Sequence, residues 1–238
     1  ALNAAILDAQ ASARRVGKRH QLTRGHRGVH QLARHHLRAR HHDVAHLQVG
    51  HLERFNPAIL AVAGELRSPR FIESNRLAPF KARGTDVSVV LDLMIHDLDV
   101  VLAFVNSPVT SVDAVGIPVL SKSEDIANVR LRFANGCLAN LTASRISAEQ
   151  MRKIRVFSGP ENTCYISLDY RAQEGFIYRI ARDGEEESSL LKKLLASRDS
   201  TIVSEFGGKR IVREPVPIVK DEPLKLELAR LKKANAPD

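Results

Sequence analysis

Val129-Arg130-Leu131-Arg132-Phe133-Ala134-Asn135-Gly136-Cys137-Leu138-Ala139-Asn140-Leu141-Thr142-Ala143-Ser144 is the stretch that decides the fold. Apolar and charged residues alternate from Val129 to Phe133, the period of a strand whose sheet has one wet face. Asn135-Gly136 predicts a type I′ hairpin turn, and Leu138 to Ser144 returns as the partner strand. Outward from this hairpin, the pattern predicts strands at Val109–Val119, Ile154–Phe157, Cys164–Leu168 and Phe176–Ala181. Gly207-Gly208 turns a further hairpin between Ile202–Phe206 and Lys209–Val212. Toward the N-terminus, Pro69–Leu77 predicts a strand, and Asp86–Phe104, the longest apolar stretch, predicts a long buried helix. Asn56-Pro57 predicts a helix start with Pro57 at the first helical position, and Leu47–Gly50 a short buried strand. Many strands on short turns with one long helix indicate an α+β fold: an open, mostly antiparallel sheet against a long buried helix.

Composition divides the chain in two. Residues 1–51 hold nine basic and only two acidic residues, together with nine of the ten histidines; the other 187 residues hold 27 basic and 25 acidic residues. The net charge of +9 therefore comes mainly from the first fifth of the chain and does not mark the rest as a nucleic-acid binder. The 44% hydrophobic content supplies a core. No apolar run reaches the roughly 18 residues of a membrane span, and Ala1–Gln10 lacks the order of a secretory signal. Cys137 and Cys164 both fall in predicted strands, which favours a reduced, cytoplasmic setting over a disulfide framework.

The chemistry-bearing segment is Asp92-Leu93-Met94-Ile95-His96-Asp97-Leu98-Asp99. At roughly 100° per residue, Asp92, His96 and Asp99 share one face of a helix that is otherwise apolar. Buried charges of this kind need partners or a function. A carboxylate one turn from a histidine fixes its tautomer and raises its basicity, which builds a general base for an alcohol proton. The alternative is a core histidine satisfied by a carboxylate. Metal binding is not favoured, because only one histidine lies in the well-patterned region.

Gln48-Val49-Gly50-His51-Leu52-Glu53-Arg54-Phe55-Asn56-Pro57, Arg83-Gly84-Thr85-Asp86 and Asp92-x-x-x-His96-Asp97-x-Asp99 together resemble the glucose–fructose oxidoreductase / inositol dehydrogenase (Gfo/Idh/MocA) family over about residues 47–228. The resemblance implies the family's C-terminal α/β domain on an open sheet, and an NAD(P)-dependent oxidoreductase acting on a sugar or sugar-nucleotide hydroxyl. It implies His96 as the base, Asp92 as its orienting partner, and Arg76, Arg83 and Asp99 as substrate-binding residues. Arg76 and Arg83 lie where the family carries its substrate loop and are suited to an anionic or phosphorylated substrate; ordinary solvation is their alternative. Capping and packing are the expected roles of Arg54 and Asn56. The implied cofactor is NAD or NADP, yet the Rossmann domain that would bind it is absent or unreadable: no Gly-x-Gly-x-x-Gly follows a strand, and there is no Glu-Lys-Pro to supply the family's lysine. Within the family, the wording most resembles the branch that oxidises the 3-hydroxyl of UDP-N-acetylglucosamine. A homo-oligomer through the open sheet face is the implied assembly, with no nucleic acid and no membrane as partner.

The expected organisation is an anomalous His/Arg-rich segment at 1–46, either disordered or the product of a shifted reading frame, then a substrate-binding catalytic domain at 47–228 and a cut tail at 229–238. Two other readings stand beside the enzyme. One is a non-catalytic remnant that folds, oligomerises and binds sugar nucleotide. The other is a functional basic head binding nucleic acid or metal, which lacks aromatic interleaving, zinc spacing and cysteines.

Overall fold

The computed structural model describes residues 50–82, 84–159, 163–181, 201–206 and 208–234, with the backbone alone described for 201–206. The expectations for residues 1–46 and for a strand at 47–49 lie outside the described residues. Nine strands form one sheet: β1 (Pro69–Leu77), β2 (Val109–Ile117), β3 (Ile126–Phe133), β4 (Leu138–Ser144), β5 (Met151–Ser158), β6 (Cys164–Asp169), β7 (Glu174–Ile180), β8 (Thr201–Phe206) and β9 (Lys209–Pro215). Their order is β2-β3-β4-β1-β5-β6-β7-β9-β8. β1 runs parallel to β4 and every other neighbouring pair is antiparallel. The predicted α+β class and mostly antiparallel sheet are what the structure has.

Among the described residues, three helices and a 3-10 turn (Leu52–Phe55) accompany the sheet: α1 (Pro57–Val62), α2 (Ile95–Val105, entered through a π turn at Val90–Met94) and α3 (Pro223–Ala234). α1 starts as Asn56-Pro57 predicts. The Asn56 side chain accepts from the Ala58 amide at 3.1 Å and so caps the helix, with Pro57 at its first position. Val90, Met94, Leu98, Val101 and Val105 recur every three or four residues, and all are buried. They pack on Ile72, Val129, Leu141, Ile154 and Ile166 from the sheet's inner face in one core. α2 ends at Asn106, a left-handed residue whose amide returns to Leu102 O.

Three expectations are corrected. The long helix does not begin at Asp86: 84–88 is loop and the helical turns start at Val89–Val90. Gly50 is exposed and lies in no strand. Asn135-Gly136 does not make a type I′ turn, which requires positive φ at both positions. Only Gly136 has it (φ 81°), in a three-residue loop closed by the Gly136 amide on Phe133 O and the Phe133 amide on Cys137 O.

The sheet's other face carries Arg130 and Arg132, both exposed, as the alternation predicts. It also carries a row of rings across β1, β5, β6 and β7. Phe71 and Phe157 are 5.8 Å apart, Phe157 and Tyr165 4.7 Å, and Tyr165 and Tyr178 5.0 Å.

Candidate active site

The site lies where the 3-10 turn, β1 and α2 meet. Arg76 points inward from β1 and is 3% exposed. Its guanidinium holds Asp97 with two bonds, Nε to Oδ2 at 2.6 Å and one terminal nitrogen to Oδ1 at 3.1 Å, and its other terminal nitrogen donates to Glu53 Oε1 at 3.0 Å. Glu53 also accepts from Asn56 Nδ2 at 3.1 Å and lies 3.6 Å from the half-exposed Arg152. Burial opposes the Arg76 charge, but Asp97 and Glu53 outweigh it and raise the pKa above its ordinary value. A second fork holds the next carboxylate of the helix: Arg54 Nε donates to Asp99 Oδ2 at 2.8 Å, and a terminal nitrogen of Arg54 binds Asp99 Oδ1.

His96 stands beside the Arg76 cluster, half-buried, with Nδ1 enclosed and without a hydrogen-bond partner. Burial, with the Arg76 cation behind it, lowers its pKa from the ordinary 6.5, against the pull of Glu53 and Asp97; His51 adds to the lowering. The imidazole is therefore neutral at pH 7 and free to accept a proton. The expectation that a carboxylate neighbour raises its basicity is corrected, because desolvation and Arg76 win.

The expected Asp92–His96 pairing is corrected as well. No hydrogen bond joins Asp92 to His96. The 100° spacing assumes a regular α-helix, and the π turn at Val90–Met94 breaks the register between Asp92 and the residues after it. The Asp92 carboxylate instead lies against Gly84, where an added Cβ would sit 3.5 Å from both of its oxygens. Gly84 has φ 81°, a conformation that suits glycine.

Arg76 and Asp99 are placed differently from the expectation. Both are buried, their charges are taken up by neighbouring side chains, and neither presents a free group to a substrate; surface solvation of Arg76 is overturned equally. Arg54 is an ion-pair partner more than a cap, whereas Asn56 does cap. Arg83 lies outside the described residues. Glu53, Asp97 and Tyr170 had no role in the sequence reading. Glu53 and Asp97 complete the cluster. Tyr170 is buried with an unpartnered hydroxyl, and burial, then Asp97, pushes its pKa well above 10. The signal in the sequence was partial: Glu53 and Asp97 stand in short segments with apolar residues on either side, but nothing local names the arginine that meets them.

Among the described residues no group of three His, Cys, Asp or Glu side chains is placed to hold a metal. No glycine-rich turn joins a strand to a helix N-terminus there, so those residues do not fit a dinucleotide's pyrophosphate. The concave patch lined by Glu222 and by Leu224, Lys225 and Lys232 of α3 contains none of these site residues.

A histidine on a helix laid against an open, mostly antiparallel sheet fits what comparison finds: residues 58–161 match the GFO/IDH/MocA C-terminal domain. The chain is 40% identical over 134 residues to UDP-N-acetylglucosamine 3-dehydrogenase of Acidithiobacillus ferrooxidans, a match spanning 56% of this chain and 42% of that protein. The solved structure of that enzyme superposes with a TM-score of 0.64 at 31% identity, over 80% of this chain and 55% of the other. Apo levoglucosan dehydrogenase, at 16% identity and a TM-score of 0.50 over 58% of this chain and 45% of the other, shares the fold. The chain thus spans about half the length of the relatives it matches. No described helix is long and apolar enough to cross a membrane.

Proposed function

We propose that this domain serves the oxidation of a hydroxyl on a sugar nucleotide, with the 3-hydroxyl of UDP-N-acetylglucosamine as its target. The observation that carries the reading is the His96 imidazole, kept neutral by burial and by Arg76 on a helix fixed by one buried and one part-buried ion pair. The 40% identity to UDP-N-acetylglucosamine 3-dehydrogenase supports the substrate. His96 takes the hydroxyl proton. Asp92 acts on the same site from the Gly84 side, and Arg83 meets the substrate's phosphate. Arg76 and Asp99 act only by holding α2. NAD or NADP is the oxidant the family resemblance implies, held by residues other than those described, in a cytoplasmic setting. A second copy of the chain covers the aromatic row of the open sheet face.

Oxidation of UDP-N-acetylglucosamine with NAD or NADP tests the reading. His96→Ala lowers turnover by about 10²–10⁴-fold, the usual worth of a general base. Asp92→Asn costs less, because the base stays. The acid limb of kcat/KM lies below 6.5, since the His96 pKa is lowered. Wild-type turnover in His96→Ala would refute the assignment. A second reading, a non-catalytic protein that binds sugar nucleotide, is favoured by the missing pyrophosphate cradle among the described residues. Calorimetric binding of UDP-N-acetylglucosamine without any turnover would select it.

A further inference from the structure

A second buried ionic cluster lies at the other end of the loop that precedes the catalytic helix. Asp125, fully buried just before β3, accepts on Oδ2 from the backbone amides of Val119, Leu120 and Ser121 at 2.8, 2.6 and 2.8 Å. Its Oδ1 accepts from the Ser121 hydroxyl at 2.7 Å and from Arg145 Nε at 2.8 Å. Burial would raise its pKa, but these donors outweigh it and keep the carboxylate charged. Arg145, 3% exposed, follows β4 directly. Fixed by Asp125, it turns its two terminal nitrogens to other partners. One donates to Gly84 O at 2.9 Å and Val87 O at 2.8 Å, and the other to the Ser121 and Ser123 hydroxyls, each at 2.9 Å. The Ser123 hydroxyl in turn lies 3.0 Å from both Thr85 O and Val87 O. The Val89 amide donates to Glu124 O at 2.9 Å.

The 84–87 backbone therefore lies between Arg145 on one side and, at Gly84, the Asp92 carboxylate on the other. A loop of this kind carries no ladder of its own. Its carbonyls are satisfied by one guanidinium and one hydroxyl, both reached across some 35 to 60 residues of sequence.

We propose that Arg145, fixed by Asp125, is a positioning residue: it clamps the backbone of Gly84–Val87 and, through Gly84, sets Asp92 and the first turn leading to His96. The assignment rests on the reading of His96 as the base. Arg145 touches no reacting atom; it decides whether the loop beside Asp92 has one position or several. Lysine cannot replace it, because a single ammonium cannot fork to Asp125 and two carbonyls while reaching the serines.

The test is hydrogen exchange of the whole chain, read in peptides covering 84–94, together with the rate at which diethyl pyrocarbonate modifies His96. Ser123→Ala removes only the hydroxyl bridge. It raises exchange in 84–94 by ~10-fold, the scale of one or two hydrogen bonds, and speeds His96 modification, while 126–144 stays protected. Ser123→Thr restores both readouts. Arg145→Lys has a larger effect with the same pattern, and Ser123→Ala carries the test if that variant does not fold. Ile166→Ala in β6, matched in melting temperature, serves as the control for general loosening. Unchanged exchange in 84–94, or an equal rise in the control, overturns the proposal. Failure of the dehydrogenase reading is separate: no sugar-nucleotide oxidation by any variant, with the exchange pattern as expected, leaves the clamp supported and removes the enzyme.

Discussion

Replacing Arg76 by Met removes three charge-assisted bonds from inside the protein and leaves two carboxylates behind. Glu53 keeps Asn56 at 3.1 Å and the half-exposed Arg152 at 3.6 Å, so its loss is partial. Asp97, 3% exposed, loses both bonds of its guanidinium fork and with them its cation. Breaking a buried pair from one side costs about 3–5 kcal/mol, and the support left to Glu53 places this variant near ~3 kcal/mol. That is a large part of the ~5–15 kcal/mol total stability of a typical domain. In urea it moves the unfolding midpoint down by about 1–3 M at the usual m-values. Arg76→Met with Asp97→Asn, which removes the stranded charge, recovers part of the loss at pH 7. Without the Arg76 cation the His96 pKa rises toward 6.5, read from its ring-proton shifts. A loss under ~1 kcal/mol at pH 7 would refute the view of Arg76 as a buried anchor.

Two further outcomes are expected. Asn56→Ala loses the α1 cap together with bonds to Glu53 and to Tyr170 O, and lowers stability by about 1–2 kcal/mol in urea unfolding; a change within ~0.3 kcal/mol would sink the capping argument. Phe157→Glu places a charge in the middle of the aromatic row and shifts light-scattering mass toward the monomer without lowering the melting temperature; an unchanged mass, or a wild-type chain already monomeric at high concentration, would remove the proposed interface.

Strand positions were legible because the sheet has one buried face, so alternation at Val129–Phe133 and at Ile154–Phe157 carries a real signal. Turn type was not: Asn135-Gly136 suits a two-residue loop, but three residues separate Phe133 from Cys137, and sequence does not show where the ladder closes. The order of strands was also hidden, since β1 inserts between β4 and β5 by pairings that no local pattern encodes. In the candidate site, the charged helix was legible and its wiring was not. Nothing local indicates that Asp97 and Asp99 each have an arginine from an earlier element, or that a π turn breaks the Asp92–His96 spacing. The Arg145–Asp125 cluster was invisible for the same reason. Its only trace is Ser121-x-Ser123-x-Asp125, a turn-forming sequence, and one arginine at the end of an apolar strand.

The motif Asp92-x-x-x-His96-Asp97-x-Asp99 thus divides by function along one helix. Asp97 and Asp99, two residues apart, point to different sides and are gripped by forks from β1 and from the 3-10 turn. Apolar packing alone would hold α2 on the sheet at least as firmly, because desolvating four charges consumes most of what their attraction returns. What two guanidinium forks add is direction: a planar, bidentate pair fixes the rotation of the helix about its axis, where Val, Leu and Met side chains tolerate small slips. Rotation is the variable that decides where His96 points. Burial and, after it, the Arg76 cation lower the His96 pKa, so one buried side chain bears both on where the proposed base points and on its readiness to take a proton.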